Sequence, residues 1–151
     1  MEFCSCRKKF AAPGRLPVVE QDQPETAEAP VDQFAADLTA LPGVVSVFWQ
    51  GAERVVHVER TALASVMQVL RDDVRFAFQQ CMDVCGVDWP QRGERFDVVY
   101  QLLSLTRNDR LRVITTTDES QPVPSVSAIW PGAAWWEREV WDLFGVLISG
   151  G

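Results

Sequence analysis

The chain has 151 residues, with 14 basic side chains against 21 acidic ones and a formal net charge of -7. That length suits one domain able to bury its own core. The acid excess argues against nucleic acid or an anionic membrane surface as the main partner, since both call for an electropositive footprint.

From Met1 to about Pro30 the prolines at 13, 17, 24 and 30 interrupt a polar stretch without periodicity, which predicts a flexible tail. No Lys or Arg falls between Arg15 and Arg54, while Glu20, Asp22, Glu25, Glu28, Asp32, Asp37 and Glu53 do, so the front of the chain is acidic. No secretion-signal core opens the chain, and no apolar run approaches the roughly 18 residues that cross a bilayer. The reading is of a soluble intracellular chain.

A single domain is expected over 31–151. Its first helix begins after Pro30 with Asp32 as N-cap, puts Phe34, Leu38 and Leu41 on one face, and stops at Pro42-Gly43. Val44 to Trp49 and Val55 to Glu59 are β-branched or aromatic runs around a turn at Gln50-Gly51-Ala52-Glu53, which predicts an antiparallel hairpin. Thr61 is placed as the cap of a second helix carrying Leu63, Val66, Met67 and Leu70 at helical spacing.

Phe76 to Trp89 is ambiguous; the reading is a short helix turning into a strand near Val84 to Val87, closed by Pro90. Phe96 to Leu103 and Arg110 to Thr117 form a second hairpin around Thr106-Arg107-Asn108-Asp109, with a partly apolar second face that implies further cover. Ser125 to Trp130 is a connector with room for one helical turn. A last helix runs from Ala134 to Phe144, with Trp136, Val140, Leu143 and Phe144 as its apolar stripe. The expected fold class is α+β: a two-layer sandwich whose mainly antiparallel or mixed sheet of about four to five strands carries packed helices.

Four of the six tryptophans lie between Trp130 and Trp141, around the charged run Glu137-Arg138-Glu139. Indole at helical spacing is commonly core, and Trp136 fits that description. Trp135 and Trp141 point away from the stripe, and aromatic residues beside arginine mark protein interfaces, so the segment reads as a docking helix.

Other chemistry is thin. Cys4, Cys6, Cys81 and Cys85 have poor spacing for zinc or an iron–sulfur cluster, although a small metal- or redox-binding protein is kept as the alternative. His57, the only histidine, sits mid-strand without a nucleophile elbow, and no glycine-rich phosphate loop occurs. Glu139 and Asp142 are spaced for acid–base work, but Arg138 can pair with Asp142 at i, i+4 and hold it ionised.

Several motifs in order resemble one family. They are Gly86-Val87-Asp88-Trp89, Glu94 through Tyr100, Leu102-Leu103-Ser104, Arg110-x-Arg112, Pro122-x-Pro124-Ser125-Val126, Trp130-x-x-Ala133-x-Trp135 and Glu137-Arg138-Glu139-x-x-Asp142-Leu143-Phe144-Gly145. Together they resemble the C subunit of the proton-pumping NADH-quinone oxidoreductase, respiratory complex I, over about Asp32 to Gly150. The resemblance implies a non-catalytic peripheral-arm subunit with no cofactor of its own, the flavin and iron–sulfur clusters belonging to partner subunits. It implies docking to the quinone-site subunit, on the cytoplasmic side of the inner membrane or the matrix side in an organelle.

The interface residues implied are Trp135, Trp136, Glu137, Arg138, Glu139, Trp141, Asp142 and Phe144, with the four charged ones forming a network that orients the helix. Family members continue into a carboxyl-terminal arm, so the chain is expected to be a carboxyl-terminally truncated member.

Overall fold

The computed structural model describes residues 32–150. The expected tail, with Cys4 and Cys6, lies outside the described residues. Helix α1 (Gln33–Thr39) buries Phe34 and Leu38, as its spacing requires. Asp32 stands at its N-cap without a side-chain cap bond. Its carboxylate instead takes Arg54 at 3.0 Å, and the same guanidinium holds Asp109 at 2.6 Å while lying 4.6 Å from the Phe34 and Trp49 ring centres. One arginine therefore ties α1 to two strands.

Strands β1 (Val44–Gln50) and β2 (Glu53–Val58) form the expected hairpin, with Gly51 at φ +63 in the turn. Gly43 precedes it at φ +92, and a Cβ there would stand 2.1 Å from the Ala62 Cβ, so only glycine fits. Helix α2 (Leu63–Asp72) buries Leu63, Val66, Met67 and Leu70. Each such side chain contributes about 1.5–3 kcal/mol by leaving water. Thr61 is not the cap: it lies inside a 3₁₀ turn, Arg60–Ala62, where the Leu63 N–H donates to Arg60 O. A tightened backbone turn satisfies the donor that a cap hydroxyl would have taken.

The short helix expected after Phe76 does not form. The Phe78 N–H donates to Leu70 O at 2.9 Å, and Phe76 and Phe78 both enter the core, meeting Phe34 edge-on at 5.4 and 6.3 Å. Two residues apart, they reach one core together from an irregular segment in which Ala77 takes φ 49. Strand β3 (Gln80–Asp88) then runs its whole length against β4 (Phe96–Ser104), starting before Val84.

β4 and β5 (Asp109–Thr117) make the second hairpin, with Asn108 at φ 50 in its turn. The sheet order is β1-β2-β5-β4-β3, antiparallel throughout except that β2 and β5 run parallel. This mixed five-stranded sheet with three helices is the α+β sandwich expected. The connector at Ser125 to Trp130 holds one helical turn, closed by Trp130 N–H on Val126 O at 2.9 Å. Helix α3 (Ala133–Phe144) follows, and a two-stranded parallel pair, β6 (Val123–Pro124) with β7 (Ile148–Ser149), brackets it.

The buried residues of all three helices join one core on one sheet face, with Val56, Val58, Val98, Tyr100, Leu111 and Val113. The reverse face holds a Glu53–Arg112 ion pair at 2.6 Å and His57 stacked on Phe48 at 5.6 Å. The cover expected there is not supplied by the helices' buried residues.

Candidate functional site

Helix α3 begins at Pro131-Gly132 and ends where Gly145 takes the left-handed conformation, φ 73, its N–H donating to Trp141 O at 2.9 Å. This is the usual glycine stop of a helix. Its inner stripe is Ala133, Trp136, Glu137, Val140 and Phe144. Phe144 meets Phe96 edge-on at 6.4 Å and lies over Gly86, where an added Cβ would come within 2.6 Å of its ring. The glycine in β3 thus makes room for the helix.

Leu143, assigned to the inner stripe from sequence, points outward and is 68% exposed. Trp135 and Trp141 are 77% and 51% exposed. Arg138, Glu139 and Asp142 share this outer surface, and Arg138 lies 3.8 Å from Asp142 across one helical turn. Of the residues named from the motif, Trp136 and Phe144 therefore lean inward, while Trp135, Arg138, Glu139, Trp141 and Asp142 lie outside.

Glu137 departs most from expectation. It is only 4% exposed and belongs to no outer charge network. One carboxylate oxygen accepts the Val126 N–H at 2.6 Å and the other accepts the Ser125 hydroxyl at 2.6 Å; Ser125 in turn lies 2.7 Å from the Ser127 hydroxyl. A carboxylate leaves water only when such donors replace it, so Glu137 pins the connector to α3. A signal for this exists in the spacing, because Ala133, Glu137, Val140 and Phe144 follow i, i+4, i+7, i+11, while residue type alone places an acid in solvent. Trp130 is likewise buried and donates its indole N–H to Gln79 O at 3.1 Å.

Near Glu137 lie two other buried groups. Desolvation first, then the Glu137 charge, pushes the Tyr100 hydroxyl well above its ordinary range, and that hydroxyl has no hydrogen-bond partner among the described residues. Burial is also the main cause that drives the Cys81 thiol up to about 12, so it stays a neutral, inert core group. Cys81 pairs with Leu102 and Cys85 with Val99, residues of opposite sheet faces, because β3 shifts register between Cys81 and Asp83. The two thiols cannot converge on one metal. Among the described residues no group of three or more His, Cys, Asp or Glu side chains is arranged to hold a metal ion.

Two clefts flank α3. One is lined by Ser127, Ala134, Arg138, Trp141, Leu147 and Glu137; the other, toward the sheet edge, by Asp83, Cys85, Gly86, Glu139, Leu143 and Phe144. Exposed Trp135, Trp141 and Leu143 thus lie along α3 with a cleft on either side of the helix. No described helix is long and apolar enough to cross a membrane.

The family model described as respiratory-chain NADH dehydrogenase, 30 Kd subunit, matches residues 56–151. The NADH-quinone oxidoreductase C subunit of Erythrobacter litoralis is 54% identical over 98 residues, covering 65% of this chain and 38% of the relative. The proteins of that name from Rhizobium etli and Paramagnetospirillum magneticum are 56% and 53% identical, over 58% and 64% of this chain and 44% and 49% of their own lengths. The matched stretch thus spans less than half of these curated relatives. A chain in the structure of the membrane-bound sulfane sulfur reductase, an archaeal respiratory membrane complex, superposes with a TM-score of 0.67 at 22% identity, covering 79% of this chain and 70% of its own. At that identity the likeness is one of fold.

Proposed function

The chain belongs to the family of the respiratory-chain NADH dehydrogenase 30 kDa subunit, and from that premise we propose that it is a non-catalytic peripheral-arm subunit of an NADH-quinone oxidoreductase. In this reading it supports electron transfer from NADH to quinone, coupled to proton translocation, by docking through α3 to the quinone-site subunit. Flavin and iron–sulfur clusters sit in the partner subunits. The chain is held peripherally at the cytoplasmic side of the inner membrane through the complex.

The observation that carries this reading is the outer surface of α3. Trp135, Trp141 and Leu143 expose large apolar area across the outer half of a helix whose inner stripe is already packed. Large aromatics at the centre of an interface are the residues whose truncation costs binding most, commonly about 2 kcal/mol or more. Co-purification of the full chain with the quinone-site subunit is the test. The Trp135→Ala/Trp141→Ala double variant is expected to keep its thermal midpoint and lose that co-purification, with membrane NADH:quinone activity falling in parallel. Equal recovery of the partner by the double variant overturns the indole surface of α3 as the docking contact.

A further inference from the structure

The cleft between α3 and the edge strand β3 has a charge pattern that docking by indole alone leaves unexplained. Its floor is apolar, with Gly86, Val140 and Phe144, and Leu143 borders it; Asp83 stands on the β3 side and Glu139 on the α3 side. Both acids are exposed, and neither has an ion-pair partner among the described residues. Arg138, the neighbouring cation on the helix, is turned to Asp142. Cys85 lies in the same cleft: burial first, then Asp83, and more weakly Glu139, hold its thiol above the usual value, with Arg112 opposing. Both carboxylates therefore act on one small volume.

A neutral partner laid over this cleft would strip water from two like charges and give nothing back, which strongly disfavours a dry interface. A second copy of the chain, itself at -7, would add repulsion. A cation entering between the two acids reverses the sign and selects against partners that lack one. We propose that the cleft receives a segment of a partner chain in which a lysine or arginine is flanked by aliphatic residues, the cation seated between Asp83 and Glu139 and the aliphatic groups against Leu143 and Phe144. This rests on α3 being the docking helix.

The experiment replaces the cell's own copy by the tagged full chain and washes the recovered assembly with rising salt. Wild type is compared with Asp83→Asn/Glu139→Gln and with Trp135→Ala/Trp141→Ala. The carboxamide pair should weaken retention about tenfold or more at low salt, with the difference shrinking at high salt as screening removes the attraction. Carbodiimide treatment, which activates a carboxylate and joins it to a lysine amine as an amide, should link Asp83 or Glu139 to a basic peptide of another subunit where that cation is lysine.

If the carboxamide pair is retained like wild type while the tryptophan pair is lost, the basic occupant is overturned and the docking helix stands. If the tryptophan pair is retained and the carboxamide pair lost, the indole surface falls as the contact while α3 docks through the acid cleft, which keeps its cation. If neither is lost, both fall. Links only between copies of this chain, or release by a chelator rather than by salt, overturn the proposal in favour of self-association or a divalent cation.

Discussion

Helices α2 and α3 pack on the same core with the same periodicity, yet they leave different surfaces behind. α2 buries Leu63, Val66, Met67 and Leu70 and shows solvent Ser65, Gln68, Arg71 and Asp72. α3 turns Ala133, Trp136, Glu137, Val140 and Phe144 toward the core and still shows solvent two tryptophans and a leucine. The first is an amphipathic helix completed by its own sheet. The second carries apolar area that its own sheet does not use.

The contrast can be broken most forcefully from the α2 side. Leu70→Ala should cost the chain about 2–5 kcal/mol by leaving a cavity in the core, read as a lower midpoint in urea unfolding. If it were as mild as an α3 surface change, α2 would not be the packing helix. Glu137→Ala is expected to come next, at about 1–3 kcal/mol, because the Val126 N–H and Ser125 hydroxyl lose their acceptor in a buried setting. It is the one charged motif residue whose loss should lower stability, and an unchanged midpoint would return it to the outer surface.

The buried thiol gives a sharper test of the inner side. Cys81 titrates higher folded than unfolded, from 9.0 to about 12. The folded state therefore keeps the proton longer, and this contribution is whole below pH 9 and lost as pH rises through that window. The slope approaches about 1.4 kcal/mol per pH unit for one thiol. Unfolding midpoints of wild type and Cys81→Ala between about pH 8 and 11 should converge as pH rises; parallel curves would count against a buried, neutral thiol.

The smallest effect belongs to the outer side. Arg138→Ala removes an exposed pair at 3.8 Å and should change stability by no more than about 0.5 kcal/mol. Circular-dichroism melts of the isolated chain check this, and a collapse on losing Arg138 would mean that the outer charges hold the fold itself.

Much of this was legible in the chain. Period-two runs marked both hairpins, since alternate strand residues face opposite ways, and Leu63, Val66, Met67 and Leu70 marked α2 because a helix brings those positions onto one face. The motifs from Gly86 to Gly145 carried the family, and the tryptophan spacing marked Trp135 and Trp141 as lying off the packed stripe. Those properties are local or compositional, and they do not depend on what folds against them.

Tertiary structure decided the remainder. The parallel pairing of β2 with β5 joins residues far apart in the chain, and no local signal encodes it. Phe76 and Phe78 gave up a helix because Phe34 and the core offered both rings a place at once. Thr61 lost its cap to a backbone turn. Glu137 turned inward while its neighbours turned out, since only the folded connector brings the Ser125 and Val126 donors to it. Whether a carboxylate is solvated or buried depends on which donors arrive from elsewhere, and a sequence read along its length does not contain that distance.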